Sequence, residues 1–228
     1  MAADLLREEQ LESEWEAAPT LGVVVALQVA LAVASGLAHW STWTLDWWIW
    51  LLPILWEIAL MVLLAWHEPR KRLEQPGHRR KVSLMLVALV SGTNGFLVAV
   101  VIGSLISGHE ESGAQLLLKA FTVWSTNVVA FGIWYWALHG GGQVERTRPD
   151  APPRDFQFPQ MESDDRAFAG WQPHLLDYIY VSFTNSIAFS PTDAMPLSRR
   201  AKTLMLSESA LSALTLLLVT ARAVNIFK

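Results

Sequence analysis

The chain contains no cysteine, which excludes disulfide staples and thiolate metal sites outright. Its six histidines stand apart at positions 39, 67, 78, 109, 139 and 174, and no pair has zinc-ligand spacing. No G-x-S-x-G nucleophile elbow occurs. The glycine run at 140–142 lacks the following Lys and Ser/Thr of a phosphate loop. An enzyme is therefore not expected, and neither is a cofactor. Basic residues never form a stripe interleaved with aromatics, so nucleic acid is not the expected partner. The N-terminus is acidic and precedes a long apolar run without a small-residue cleavage site, so it does not read as a signal peptide.

What is abundant is apolar surface. Of 228 residues, 52% are hydrophobic, too many for an ordinary soluble domain of this length. There are 12 tryptophans, mostly near the ends of apolar runs, where interfacial anchors belong. The net charge of −4 carries little meaning, because charge is segregated by loop. This pattern is that of an all-α, multi-pass membrane protein in contact with lipid.

Residues 1–19 read as an acidic amphipathic segment with Leu6, Leu11 and Trp15 as its apolar side. Residues 20–138 then hold four spans. The first, Thr20 to Ala38, carries Ala26, Ala30 and Ala34 at four-residue spacing, a stripe for close helix packing. A tryptophan-rich belt leads into the second, Leu45 to Trp66, with Pro53 in its outer half and Glu57 near its middle. The loop His67 to Lys81 carries six Lys/Arg and is assigned to the cytoplasm by the positive-inside rule. The third span, Val82 to Ser107, contains Ser91, Gly92, Asn94 and Gly95, read as a small polar break. After a loop with no Lys or Arg (108–115), the fourth runs from Leu116 to Leu138. Residues 139–172 lack periodicity and form an irregular connector rich in Gly, Pro and Asp.

Residues 173–228 differ in kind. Leu175 to Ala188 is an apolar stretch of 14 residues, about 21 Å as a helix against a hydrocarbon core of about 30 Å. It is short for a crossing. A polar turn, Ser190-Pro191-Thr192-Asp193, follows, then a basic step at Arg199, Arg200 and Lys202, then a long apolar helix from Thr203 to Ile226. A half-helix that dips in and turns back is a re-entrant loop. Counting Lys and Arg places the N-terminus, the connector and the basic step in the cytoplasm, with the loop entering from that side. The expected fold is five spans plus one re-entrant pore-like helix-loop, in the cell membrane. Six spans, with 175–191 crossing fully, is the alternative.

The same stretch resembles a potassium-channel pore loop. Phe183, Asp193, Pro196 and Ser198 stand at the mutual spacings of the pore-helix aromatic, the filter Asp and the residues before the inner helix, and Tyr180 occupies another aromatic position. The filter positions, TVGYG in those channels, read Ala188-Phe189-Ser190-Pro191-Thr192 here, with both glycines and the tyrosine replaced. Filter glycines let successive carbonyls point at the ion. The resemblance thus implies a homotetrameric channel-like protein with weak or altered selectivity for a monovalent ion. A loop opening to the cytoplasm is the inverse of potassium channels and resembles glutamate-receptor channels. The whole chain is also similar to an uncharacterised family of bacterial, chiefly actinobacterial, integral membrane proteins, through the run 188–193, Arg200-Ala201-Lys202, Ala221-Arg222-Ala223-Val224-Asn225, Asp155-Phe156 and Phe158-Pro159-Gln160-Met161. That family implies no activity.

Ionisable groups in hydrocarbon are costly and each is a functional candidate. Glu57 reads as an ion or proton relay, or as a structural partner of Lys119 or Asn127. Lys119 lies close enough to a boundary to snorkel. Glu208, Ser212, Thr215 and Arg222 share one face of the last helix at spacings of four, three and seven, and are expected to line a pore or a polar interface. Thr184, Asn185, Ser186, Ser190, Thr192 and Asp193 concentrate hydroxyls, an amide and a carboxylate, either as an ion-coordinating constriction or as a capped turn. A channel-like protein is the leading expectation. A non-conducting scaffold or partner subunit, and a small proton-coupled transporter using Glu57 or Glu208, are the alternatives.

Overall fold

The computed structural model describes residues 17–40, 42, 45–65, 78–107, 113–142, 146, 150–191 and 193–226. Most of the acidic leader, the greater part of the basic loop, part of the 108–115 loop, Thr192 and Lys228 lie outside them. Among the described residues the chain is mostly helical. The α-helices are α1 (Ala17–Leu37), α2 (Leu52–Ala65), α3 (His78–Ile106), α4 (Gly113–Leu138), α5 (Leu175–Ala188) and α6 (Arg199–Ile226). Two short strands, β1 (Phe156–Gln157) and β2 (Met195–Pro196), pair antiparallel with Phe156 opposite Pro196. Three helical segments, Pro19–Leu37, Lys81–Ile106 and Gly113–Gly141, are long and apolar enough to cross a membrane, and Trp47–Leu63 is a shorter apolar one.

The second span is built in two pieces. A 3-10 turn over Trp47–Leu51 precedes α2, and Pro53 is the second residue of that helix. A proline there forfeits a backbone N–H that has no helical partner in the first turn anyway. The polar break expected in the third span is absent: α3 continues through Gly92, Asn94 and Gly95 for 29 residues. Thr93 returns its hydroxyl to the carbonyls of Leu89 and Val90, and Asn94 donates across to Val123 O at 3.2 Å. The Thr93 hydroxyl and the Asn94 amide nitrogen are therefore paired without opening the helix. The last helix begins four residues earlier than its apolar run, because Ser198 Oγ accepts the Ala201 N–H at 3.1 Å and caps it.

α4 is the hub. It packs against α1, α3, α5 and α6, and Leu116, Val123, Ala130 and Tyr135 are buried along it. Outward, the helices present apolar residues such as Val23, Leu55, Phe96, Phe121 and Leu217, all exposed. Inward they bury Gln28, Glu57, Asn94, Lys119, Asn127 and Glu208. This polarity is opposite to that of a soluble domain.

Contacts along α4 give the directions of the last two helices. Val128 O accepts from Ser182 and Gly132 abuts Ile179, so α5 runs antiparallel to α4. Arg200 reaches Leu138 O, Glu208 meets Tyr135 and Ser212 meets Asn127, so α6 is antiparallel as well. The crossing at Gly132 is tight. A methyl placed there lies 2.8 Å from Ile179 Cγ1 and 3.0 Å from its Cα, whereas Gly92 and Gly95 have nothing within 4 Å.

Gly132→Ala is accordingly expected to destabilise by about 1–3 kcal/mol through overpacking. Gly92→Ala or Gly95→Ala is expected to be neutral or to stabilise by up to about 1 kcal/mol through helix propensity. Thermal unfolding of the three variants in one detergent checks the contrast.

Candidate functional site

The hairpin made of α5, the turn after it and β2 begins and ends beside the connector. At its entrance the N–H of His174 donates to Asp177 Oδ2 at 2.7 Å, which closes the first turn of α5. Tyr178, one turn further, accepts from Arg146 Nη1 at 2.6 Å, and the guanidinium stands 5.6 Å over its ring. Phe158 packs edge-on against that ring at 5.4 Å and against Trp171 at 5.6 Å. On the way back Met195 and Pro196 pair with the connector strand β1.

Between entrance and exit lies the turn. α5 ends at Phe189, which adopts a left-handed conformation (φ 53°, ψ 28°) and donates its N–H to Asn185 O at 2.9 Å. An aromatic residue in that region carries roughly 1–2 kcal/mol of steric strain. Phe189, Ser190, Pro191 and Asp193 are exposed, as is Ala188; Thr192 lies outside the described residues. Tyr180 and Asp193 line the same cavity. Thr184 turns its hydroxyl back to Tyr180 O and Val181 O of its own helix, and Ser186 does the same with Phe183 O. Thus the candidate constriction residues divide: the turn itself is open, and the hydroxyls before it are spent locally.

Asn185 points the other way, into the protein. Its Nδ2 donates to Met205 O at 3.1 Å and to Glu208 Oε2 at 2.6 Å, and its Oδ1 accepts from Ser209 at 3.2 Å. Glu208, fully buried, also meets the hydroxyls of Tyr135 and Ser182. One carboxyl thereby joins α4, α5 and α6. The Ser182 hydroxyl stands between two acceptors, Glu208 Oε1 and Val128 O. Ser212 accepts from Asn127 Nδ2 at 3.3 Å, and Thr215 bonds Leu211 O. Glu208 and Ser212 therefore face a polar interface within the chain, against α4 and α5, with Thr215 buried further along the helix. The side chain of Arg222 is outside the description.

Two expectations about charged residues need correcting. Glu57 pairs with neither Lys119 nor Asn127 in the hydrogen bond it makes; its Oε1 accepts from Gln28 Nε2 of α1 at 2.8 Å. Lys119 does not snorkel. It is fully buried, because it lies on the side of α4 that faces the other helices, away from the exposed side marked by Leu117 and Phe121.

The connector holds a group whose role the sequence alone did not reveal. Asp155, buried, accepts from Arg200 Nη2 at 2.5 Å and Nε at 3.0 Å, from Ser198 Oγ at 2.5 Å and from Gly140 N at 3.1 Å. Its own carbonyl accepts Leu197 N–H at 2.8 Å, and Arg200 also reaches Leu138 O at 3.1 Å. Burial alone would push the carboxyl up. The hydrogen bonds from Arg200 and Ser198, the Arg200 charge and the Gly140 N–H outweigh it and hold the group below the usual carboxylate range. The latch fastens the end of α4, the connector and the start of α6 together. Gln28, Tyr135 and Ser182 were likewise passed over; Gln28, a lone amide in an apolar span, carried the same signal as Glu57.

No protein-family model, curated protein or solved structure matches the chain.

Asp155→Asn is expected to cost about 3 kcal/mol, the low end for breaking a buried pair, because the Arg200 side chain is 44% exposed. Since the folded carboxyl titrates below its unfolded value, its contribution is complete above about pH 5. It fades as the pH falls through the lowered folded value. Unfolding curves of wild type and Asp155→Asn should therefore converge on acidification. Glu208→Leu, which leaves the Tyr135, Ser182 and Asn185 donors unmet, should lose about 3 kcal/mol or more. Glu208→Gln, still an acceptor, should lose less, and the two are compared in the same unfolding assay.

Proposed function

We propose that this is a channel-like integral membrane protein in which the α5 hairpin is a re-entrant pore loop and copies of the chain assemble, as a tetramer, around a shared path. The observation that supports the reading is that both ends of the hairpin lie against the connector. Leu175 and Tyr178 lie with the connector at one end, and Pro196 is paired to Phe156 of the same connector at the other. In this reading α1, the Trp47–Ala65 segment, α3, α4 and α6 cross the membrane, with the N-terminus and connector in the cytoplasm.

Irregular backbone within the hydrocarbon region cannot face lipid, since its carbonyls and amides would go unmet. An exposed turn at Ala188 to Asp193 thus calls for water or for other copies of itself. Leu176, Tyr180, Phe183 and Ile187, all exposed on α5 at spacings of four, three and four, offer a stripe for those neighbours. A cavity of about 290 Å³ opens where the hairpin returns, lined by Phe158, Gln160, Asp177, Tyr180 and Asp193. Its two carboxylates would raise the local concentration of cations at the mouth. Without filter glycines, carbonyl coordination would be incomplete and selection among monovalent cations weak.

A second reading, a non-conducting scaffold or partner subunit, is favoured by one observation: Asn185, Glu208 and Ser212 are all engaged inside a single chain. Oligomeric state and flux separate the two. In lipid discs the channel reading requires a tetrameric native mass, and proteoliposomes must pass monovalent cations. Asp193→Asn should then reduce the flux about threefold at low ionic strength, with assembly intact. A monomer without flux leaves no shared path and favours the scaffold.

A further inference from the structure

We propose that α1, α2, α3 and α4 enclose a binding site for a sodium-sized monovalent cation at Glu57, Gln28 and Asn94, separate from the hairpin. The inference begins with the orientation of one amide. Thr126 Oγ1 donates its only proton to Thr122 O at 2.9 Å, so it can receive Gln28 only as an acceptor. Gln28 Nε2 does approach it at 3.1 Å and also donates to Glu57 Oε1 at 2.8 Å. The amide nitrogen is thereby fixed toward Thr126 and Glu57, and the amide oxygen is turned away from both.

That oxygen has no hydrogen-bond partner, and neither has Glu57 Oε2. Gln28 is 1% exposed and Glu57 0%. A third orphan stands on α3: Asn94, 1% exposed, donates to Val123 O, one turn of α4 from Thr126, and leaves its Oδ1 unmet. All three orphaned atoms are acceptors. Buried acceptors without donors cost about 1–3 kcal/mol each, and what relieves them is a group carrying positive charge or protons. One carboxylate with two amide oxygens is a hard-oxygen donor set with a formal charge of −1, which a monovalent cation balances. Calcium would ask for six to eight oxygens, usually with several carboxylates, and no such acidic cluster exists among the described residues.

Other occupants are a water, a proton on Glu57, or the ammonium of Lys119. Lys119 lies two turns from Thr126 on the same face of α4, about 10 Å along the axis. Each of these makes the protein indifferent to the cation in the buffer, which is what the test reads. Thermal unfolding of the full chain in detergent is followed in sodium, potassium and choline chloride at equal ionic strength. The expected result is a saturable rise in Tm of about 4 °C or more in sodium over choline, smaller in potassium and lost in Glu57→Gln. Equal Tm values for the wild type in sodium and choline overturn the proposal without any variant. An increment that survives Glu57→Gln and disappears in Asp193→Asn assigns the ion to the hairpin and overturns it too. Should Glu57→Gln fail to fold, Gln28→Leu provides the second removal of a ligand, and a full sodium increment there has the same overturning force.

Discussion

A carboxyl group enclosed by three helices and closed to bulk solvent has to find its hydrogen bonds within the protein. Glu208 is in that position. It takes the phenol of Tyr135 from α4 and the hydroxyl and amide of Ser182 and Asn185 from α5, and it sits on α6. Removing α4 or α5 would strip the carboxyl of part of its hydrogen bonding, and removing α6 would leave the Tyr135 phenol without the partner it has here. The exposed apolar residues contribute nothing comparable to helix choice, because apolar contact is non-directional. Close packing at Gly132 and polar pairing at Glu208 are what give α5 a specific place.

Sequence periodicity reached the helices themselves. The bounds of α5 agree with the apolar stretch residue for residue, since a proline-containing entrance and a polar turn flank it. Sequence could also show that Glu208, Ser212 and Thr215 share a face. It could not show which partner that face meets, because a polar stripe serves a water-filled path and an internal interface equally well. Lys119 shows the same limit from the other side. Distance from a helix end suggested escape to the boundary, yet the hub position of α4 buries this side chain among its neighbours. Hub position is a property of how helices assemble, and no local pattern encodes it.

The connector was the least legible part. Read as irregular because it lacks periodicity, it nevertheless buries Asp155, Phe156 and Phe158 and stacks its aromatics on Tyr178 and His139. Segments held by a few long-range contacts carry no repeating signal; their information lies in pairs such as Asp155 with Arg200, far apart along the chain. The same applies to Gln28 and Glu57, whose significance emerges only when α1 and α2 are brought side by side.

The separation of Asp155 and Arg200 by 45 positions also bears on how the protein is made. Synthesis proceeds from the N-terminus, so Asp155 leaves the ribosome well before its partner exists. Everything in between, the whole of α5 and its turn included, emerges while the latch is still open. The hairpin can be fastened at its base only after residue 200 has appeared, and α6 follows directly behind. Closure of the hairpin's base thus waits on the start of α6: a nascent chain halted before residue 200 would hold α5 without the Arg200 contact to Asp155.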